Sequence, residues 1–257
     1  MRIVRFSDGG NPKYGLVKDD STRIFVLRGD PLFSQVDPSG EVLELDQVRL
    51  LSPVIPRSKV VGVGKNWYAP GAERIENPGD PILFIKPNTS VVGPGDPIVL
   101  PEWSERVLPE GELAVVIKTL SKNVPVGEVD DIIFGYTVGN DLSARDMMDQ
   151  DGQWARGKGF DSACPLGPWI TVDPELDVDN LKITTTVDGE VVQDGTTADM
   201  IVGVKELVSF ITHQMTLLPG DVILTGTPSL APALKVGDRV DVEVEGLGTL
   251  SNPVVRR

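Results

Sequence analysis

Glu110-Gly111-Glu112 runs directly into the apolar stretch Leu113 to Ile117, and about thirty residues later the chain reads Gly139-Asn140-Asp141-Leu142-Ser143-Ala144-Arg145-Asp146. Two carboxylates one residue apart on a strand point to the same face, and a third arriving from the end of a second strand completes an oxygen cage for a hard cation. The chain holds one histidine and one cysteine, so a zinc-type nitrogen and sulfur ligand set is excluded. Mg²⁺ or another oxygen-loving divalent ion is expected instead. Taken alone, a Glu-x-Glu pair also describes a solvated strand face. Asp141 shifts that balance, because it sits in a dense polar cluster directly after the apolar Ile132 to Val138. The Asn-Asp-x-Ser run reads equally as a helix N-cap, and both readings can hold at once.

The elements that must position these residues are mostly strands. Apolar runs bounded by turn residues predict strands over Met1 to Phe6, Tyr14 to Lys18, Arg23 to Leu27, Val60 to Val63, Pro81 to Ile85, Leu113 to Ile117, Trp169 to Val172, Leu181 to Val187, Asp221 to Leu224 and Arg239 to Val244. Helical patterns are few: one opening at Val126 to Ile132, a short one over Ala144 to Gln150, and the clearest over Val204 to Gln214. The expected fold class is therefore strand-dominated α+β. Leu50-Leu51-Ser52-Pro53-Val54-Ile55-Pro56 reads as a linker, dividing a small N-terminal β domain (1–55) from a catalytic domain (56–257).

With 257 residues, of which 40% are hydrophobic, the chain can bury a full core. No apolar run is long enough for a transmembrane helix. Met1-Arg2-Ile3-Val4-Arg5 opens like a first strand rather than a secretory signal, so a cytoplasmic location is expected. The lone Cys164 fits a reducing compartment, and its turn-rich surroundings do not suggest a catalytic thiol. A formal charge of −14 opposes binding to nucleic acid or anionic membranes, since phosphate attraction would become repulsion.

Four motifs in order resemble the fumarylacetoacetate hydrolase family: Glu110-Gly111-Glu112-Leu113, Asn140 to Asp146, Lys158-Gly159-Phe160-Asp161 leading to Gly167-Pro168, and Leu218 to Pro228 with its Thr225-Gly226-Thr227-Pro228 turn. They span roughly Lys59 to Val255. The resemblance implies a mixed β-roll or barrel-like α+β catalytic domain, usually a homodimer, preceded by a small N-terminal domain. It implies Glu110, Glu112 and Asp141 as ligands of Mg²⁺, replaceable by Mn²⁺ or Ca²⁺. It implies Lys158 as a cation near the substrate oxygens and Thr227 as a contact for the substrate carboxylate, with Arg145 and Gln153 as further carboxylate and water contacts.

Substrates of the family resemble acylpyruvates and other small enolisable 2-oxo or enol carboxylic acids, whose adjacent oxygens chelate a Lewis-acidic ion. C–C hydrolysis, decarboxylation and keto-enol isomerisation all pass through an enolate. One family feature is absent: where a lid segment usually carries His and Glu as a water-activating dyad, this chain has Pro70 and Glu73. A carboxylate without its imidazole is a poorer base near neutral pH. Hydrolysis stays the family default, with Glu73 as the surviving lid base. Isomerisation of the 2-hydroxyhepta-2,4-diene-1,7-dioate type and oxaloacetate-type decarboxylation rise to nearly equal standing, with Tyr68 a further proton-transfer candidate. A metal- or ligand-binding protein that has lost catalysis is the alternative of another class. His213, in the predicted helix before Leu217-Leu218-Pro219, is expected to be a structural helix residue.

Overall fold

The computed structural model describes residues 1–18, 21–68, 72–74 and 79–256. Two sheets dominate. The larger, twelve-stranded among the described residues, runs in the order Pro38–Glu44, Arg23–Leu27, Lys13–Val17, Arg2–Ser7, Cys164–Thr171, Ile133–Asn140, Gly111–Ile117, Val222–Leu224, Val60–Gly64 and Ile82–Lys86, with two short strands attached at its side. The smaller orders Glu190–Thr196, Lys182–Val187, Arg239–Val244, Gly248–Val255 and Ile98–Val99. The fold is strand-dominated and mixed as expected, for Val222–Leu224 pairs parallel to Val60–Gly64 inside an otherwise largely antiparallel sheet. Neither sheet closes on itself; the larger ends in open edges at Pro38–Glu44 and Ile82–Lys86.

Gly111–Ile117 lies near the centre of the large sheet, buried along its whole length. Side chains alternate along a strand, and here both faces are dry. Leu113, Val115 and Ile117 join the core shared with Ile183 and Val242 of the small sheet. Ala114 and Val116 pack with Ile3, Ile170 and Val222 on the other side. Each large apolar side chain buried here contributes about 1.5–3 kcal/mol, which fixes the strand end from which Glu112 projects. Gly111 is required by the close approach of the small sheet: a Cβ there would lie 2.2 Å from Thr185 Oγ1 and 2.8 Å from Val242 Cγ1.

Helices are short and serve as braces. Val204–Gln214 is found with the predicted bounds; Val204, Leu207, Val208 and Ile211 form the buried stripe that seats it on the core. Arg145–Asp151 stops at Gly152, which adopts φ +67°. The region 126–132 is a 3₁₀ turn over Val126–Glu128 followed by one α-helical turn, Val129–Ile132. A further helical turn, Ala155–Lys158, carries no apolar periodicity, and Lys158 is its last residue.

Candidate metal centre

Backbone pairing brings the three carboxylates together. Gly111 pairs with Asn140 across adjacent antiparallel strands, so the start of one strand lies beside the end of the other. Asn140 Oδ1 accepts the Glu110 N–H at 3.0 Å, and the Asp141 N–H donates to the Glu110 carbonyl at 2.8 Å. These two bonds lock the carboxylate-bearing ends against each other. Ser143 Oγ donates to Glu110 Oε1 at 2.8 Å, and the Gly226 N–H to Glu112 Oε2 at 2.7 Å. One oxygen from each of Glu110, Glu112 and Asp141 lies within 4.8 Å of the others, and all three residues are buried.

Two ammonium groups share this space. Lys158 Nζ donates to Glu110 Oε2 at 2.6 Å and to Asp141 Oδ2 at 2.5 Å; Lys86 Nζ donates to Asp141 Oδ1 at 2.5 Å. Burial opposes charge on Asp141, but Lys158 and Lys86 outweigh it and hold the carboxyl below the ordinary carboxylate range. Glu112 goes the other way: burial first, then the neighbouring charge of Asp141, push it well above that range despite Lys158. Burial likewise works against a charged Lys158, yet Asp141, Glu110 and Glu112 raise its ammonium well above the ordinary lysine value. With all three carboxylates ionised, as metal ligation requires, the two ammonium groups leave one negative charge uncompensated. Hard oxygen donors, burial and a deficit of positive charge together fit a divalent cation. Zinc-type ligation has no donors here.

A cavity of about 170 Å³ opens on this cluster, lined among others by Lys65, Glu110, Glu112, Arg145, Trp154, Lys158 and Thr227. Larger hollows exist, such as one of about 490 Å³ beside Trp103 and Phe160, but that one is lined by no basic side chain and lies away from the convergent charges. Thr227 Oγ1 donates to the Gly111 carbonyl at 3.0 Å and accepts from Gln193 Nε2 at 2.9 Å. Arg145 lines the cavity while its Nε pairs with Asp149 at 3.2 Å.

Other candidates lie elsewhere. Gln153 is exposed, and its Oε1 accepts the Ala155 N–H at 2.8 Å at the start of the Lys158 turn. Glu73 is exposed and not among the residues lining the cavity. Pro70 lies outside the described residues. His213 is exposed on its helix, where Nδ1 bonds the Ser209 carbonyl at 2.9 Å, with Nδ1–H as donor. Cys164 is buried; burial pushes its thiol up to about 12, which removes it as a nucleophile.

Two participants carried no signal in the sequence. Lys86 ends the edge strand Ile82–Lys86 one residue past the predicted run, and nothing in Phe84-Ile85-Lys86-Pro87 says that its ammonium turns inward. Gln193 sits on Glu190–Thr196, a strand with too few apolar residues to stand out; its Oε1 accepts the Gly111 N–H at 3.0 Å and its Nε2 also donates to the Ser229 carbonyl.

Comparison with known proteins identifies the family. The profile described as fumarylacetoacetate (FAA) hydrolase C-terminal matches residues 59–255, and one described as Rv2993c-like, N-terminal matches residues 1–53. The chain belongs to the fumarylacetoacetate hydrolase family and is an enzyme of that family. It is 48% identical to Protein Rv2993c of Mycobacterium tuberculosis over 231 residues, covering 89% of this chain and 85% of that protein. It is 38% identical to the mitochondrial oxaloacetate tautomerase fahd2 of Xenopus laevis, covering 99% of this chain and 90% of that one. The crystal structure of 5-carboxymethyl-2-hydroxymuconate delta-isomerase from Mycobacterium smegmatis superposes with a TM-score of 0.92 at 42% identity, over 100% of both chains. Maleylpyruvate hydrolase from Sphingobium, in complex with manganese(II) and pyruvate, gives a TM-score of 0.82 at 27% identity, covering 100% of this chain and 99% of that one. No helix among the described residues is long and apolar enough to cross a membrane.

Proposed function

We propose that this protein is a cytoplasmic, divalent-metal-dependent tautomerase or isomerase of a small 2-oxo acid, working as a homodimer with Mg²⁺ or Mn²⁺ held by Glu110, Glu112 and Asp141. The carrying observation is the make-up of the site: Glu110, Glu112 and Lys158 line a cavity of about 170 Å³, Asp141 is held by Lys158 behind them, and no imidazole lines it, the chain's single histidine being exposed on its own helix. The likeness to an oxaloacetate tautomerase and to isomerases supports the same choice.

A divalent ion bound there would supply a Lewis acid for the adjacent oxygens of a 2-oxo acid. The protein's own groups do the rest. Lys158, whose ammonium is favoured by the three carboxylates around it, is assigned to meet negative charge as it develops on the substrate oxygen. Arg145 is assigned the substrate carboxylate, joined by Thr227 once its hydroxyl turns from the Gly111 carbonyl, and together they fix which end enters first. Proton transfer between carbon and oxygen is assigned to Glu73, which is exposed and does not line the cavity. Tautomerisation consumes no water, so the reaction does not need the activated water that a His-Glu dyad provides.

C–C hydrolysis is the second reading, favoured by the likeness to maleylpyruvate hydrolase. One assay separates the two. Enol-oxaloacetate and an acylpyruvate are presented with Mg²⁺ or Mn²⁺, following loss of enol absorbance, release of pyruvate and loss of acylpyruvate against metal-only controls. Accelerated enol loss without acylpyruvate cleavage is expected, with Lys158→Met reducing the rate by about 10²–10³-fold. Dominant acylpyruvate cleavage would establish the hydrolase, dominant pyruvate release from oxaloacetate the decarboxylase. No rate above the controls on either substrate would overturn the enzymatic assignment to this substrate class.

A further inference from the structure

Lys86 is the most deeply buried cation among the described residues, with no exposed surface, and the reaction outlined above gives it nothing to do. It stands at the end of the edge strand Ile82–Lys86, opposite Val60, and sends its side chain inward. Its Nζ lies 2.5 Å from Asp141 Oδ1 and 3.4 Å from the Leu142 carbonyl. Asp141 Oδ2 meanwhile receives Lys158 at 2.5 Å, so one carboxylate is shared between two ammonium groups arriving from different parts of the chain. Burying a lysine is costly unless its charge is needed.

The need follows from the charge count. Glu110, Glu112 and Asp141 carry three negative charges when ionised; Lys158 and a divalent ion together supply three positive charges. Without Lys86 the buried, loaded cluster would be neutral, leaving only Lys65 and Arg145 of the cavity lining to attract an anion. With Lys86 it carries one net positive charge in a buried setting, where an uncompensated charge acts strongly on whatever enters. A 2-oxo carboxylate is the anion that charge would balance.

We propose that Lys86 is a charge-setting residue: without touching substrate, it adds one positive charge to the buried metal-loaded carboxylate cluster, which selects anionic oxygen chelators over neutral ones. The inference rests on the metal-site reading above. Lys86 opposes the cation it sits beside, so its removal should not weaken metal binding. A lysine that only props the fold would do the opposite, since its loss would loosen Asp141 and the metal with it.

The test is calorimetric and needs no turnover. Mn²⁺ is titrated into the metal-free full-length protein, and oxalate is then titrated into the Mn²⁺-loaded protein, for the native chain and for Lys86→Met. Oxalate affinity is expected to fall at least about tenfold in the variant while Mn²⁺ affinity is unchanged or tighter. Unchanged oxalate affinity, or a fall in both affinities, overturns the role of Lys86. Absence of Mn²⁺ binding to the native chain would overturn the metal-site reading itself. Where Lys86→Met does not fold, Lys86→Gln keeps a donor toward Asp141 while removing the charge, and the same two affinities decide.

Discussion

The Gly226 N–H reaches Glu112 Oε2 at 2.7 Å, tying the Thr225-Gly226-Thr227-Pro228 turn directly to one of the three buried carboxylates. The turn that presents Thr227 to the cavity therefore also sets the orientation of a carboxylate proposed to hold the metal. Gly226 holds φ +96°, and a Cβ there would lie 3.1 Å from Trp67 Cδ1 and 3.2 Å from Asn66 Cβ. Gly226→Ala should destabilise the protein by about 1–2 kcal/mol and lower activity together with metal affinity. Chemical denaturation and Mn²⁺ titration of the same variant check both effects.

Glu112→Gln removes the charge of a proposed ligand while keeping the side chain's size. Loss of even an outer partner of a metal ligand costs about 10–100-fold in affinity, and loss of the ligand itself should cost at least that, with turnover falling in parallel. Unchanged Mn²⁺ affinity by calorimetry would remove Glu112 from the metal centre.

Thr227→Val separates substrate contact from metal binding. Its hydroxyl bonds Gly111 and Gln193 but none of the three carboxylates. A lost substrate hydrogen bond of about 1.4 kcal/mol corresponds to a tenfold rise in KM. Mn²⁺ affinity should stay as in the native chain; a fall in it would mean that the turn had been disturbed instead.

Asp221, outside the cavity lining, gives a pH-dependent stability. Burial alone would raise its pKa, but hydrogen bonds from Lys59, the Leu218 N–H and Ser58, together with the Lys59 charge, outweigh burial and hold it below 3.8. Because the folded value is depressed, the contribution is fully present above the unfolded carboxylate value and is lost as pH falls through the folded one. Asp221→Asn should therefore cost about 2–4 kcal/mol near pH 7, and the gap to the native chain should close on acidification below about pH 4. Urea midpoints measured at pH 7, 5 and 3.5 follow it; a gap that widens on acidification would contradict the assignment.

Cys164 should resist thiol reagents in the folded protein, since it is buried with its thiol pushed up to about 12. Labelling at pH 7.5 is expected only after denaturation in urea. Rapid labelling of the native chain would show that the strand Cys164–Thr171 opens locally.

Several strands were legible because their apolar runs stand between turn residues. Arg23–Leu27 and Arg239–Val244 appear with the predicted bounds, as does the helix Val204–Gln214. Others were hidden. Glu190–Thr196 is rich in polar residues, Gly248–Val255 contains Pro253, and Pro38–Glu44 lies at an edge where half its residues meet solvent. Each is held in strand form by its neighbour's hydrogen bonds more than by its own side chains. Lys158 belonged to a matched motif, yet its helical turn has no periodicity, being a single turn between Trp154 and Gly159.

The sequence by itself determined the three carboxylates, the absence of a second ligand chemistry, and the order of motifs that places the chain in its family. Spacing carries these once the motifs are taken together, because alternation along a strand puts Glu110 and Glu112 on one face and the apolar run Ile132 to Val138 leads through Gly139-Asn140 to Asp141. What only the tertiary structure decided is the company those carboxylates keep. Lys86 reaches Asp141 across 55 residues of chain and Gln193 reaches Gly111 across 82. A side chain's direction at such separations is set by which strands pair and how two sheets stack, and no local pattern of residue types encodes that.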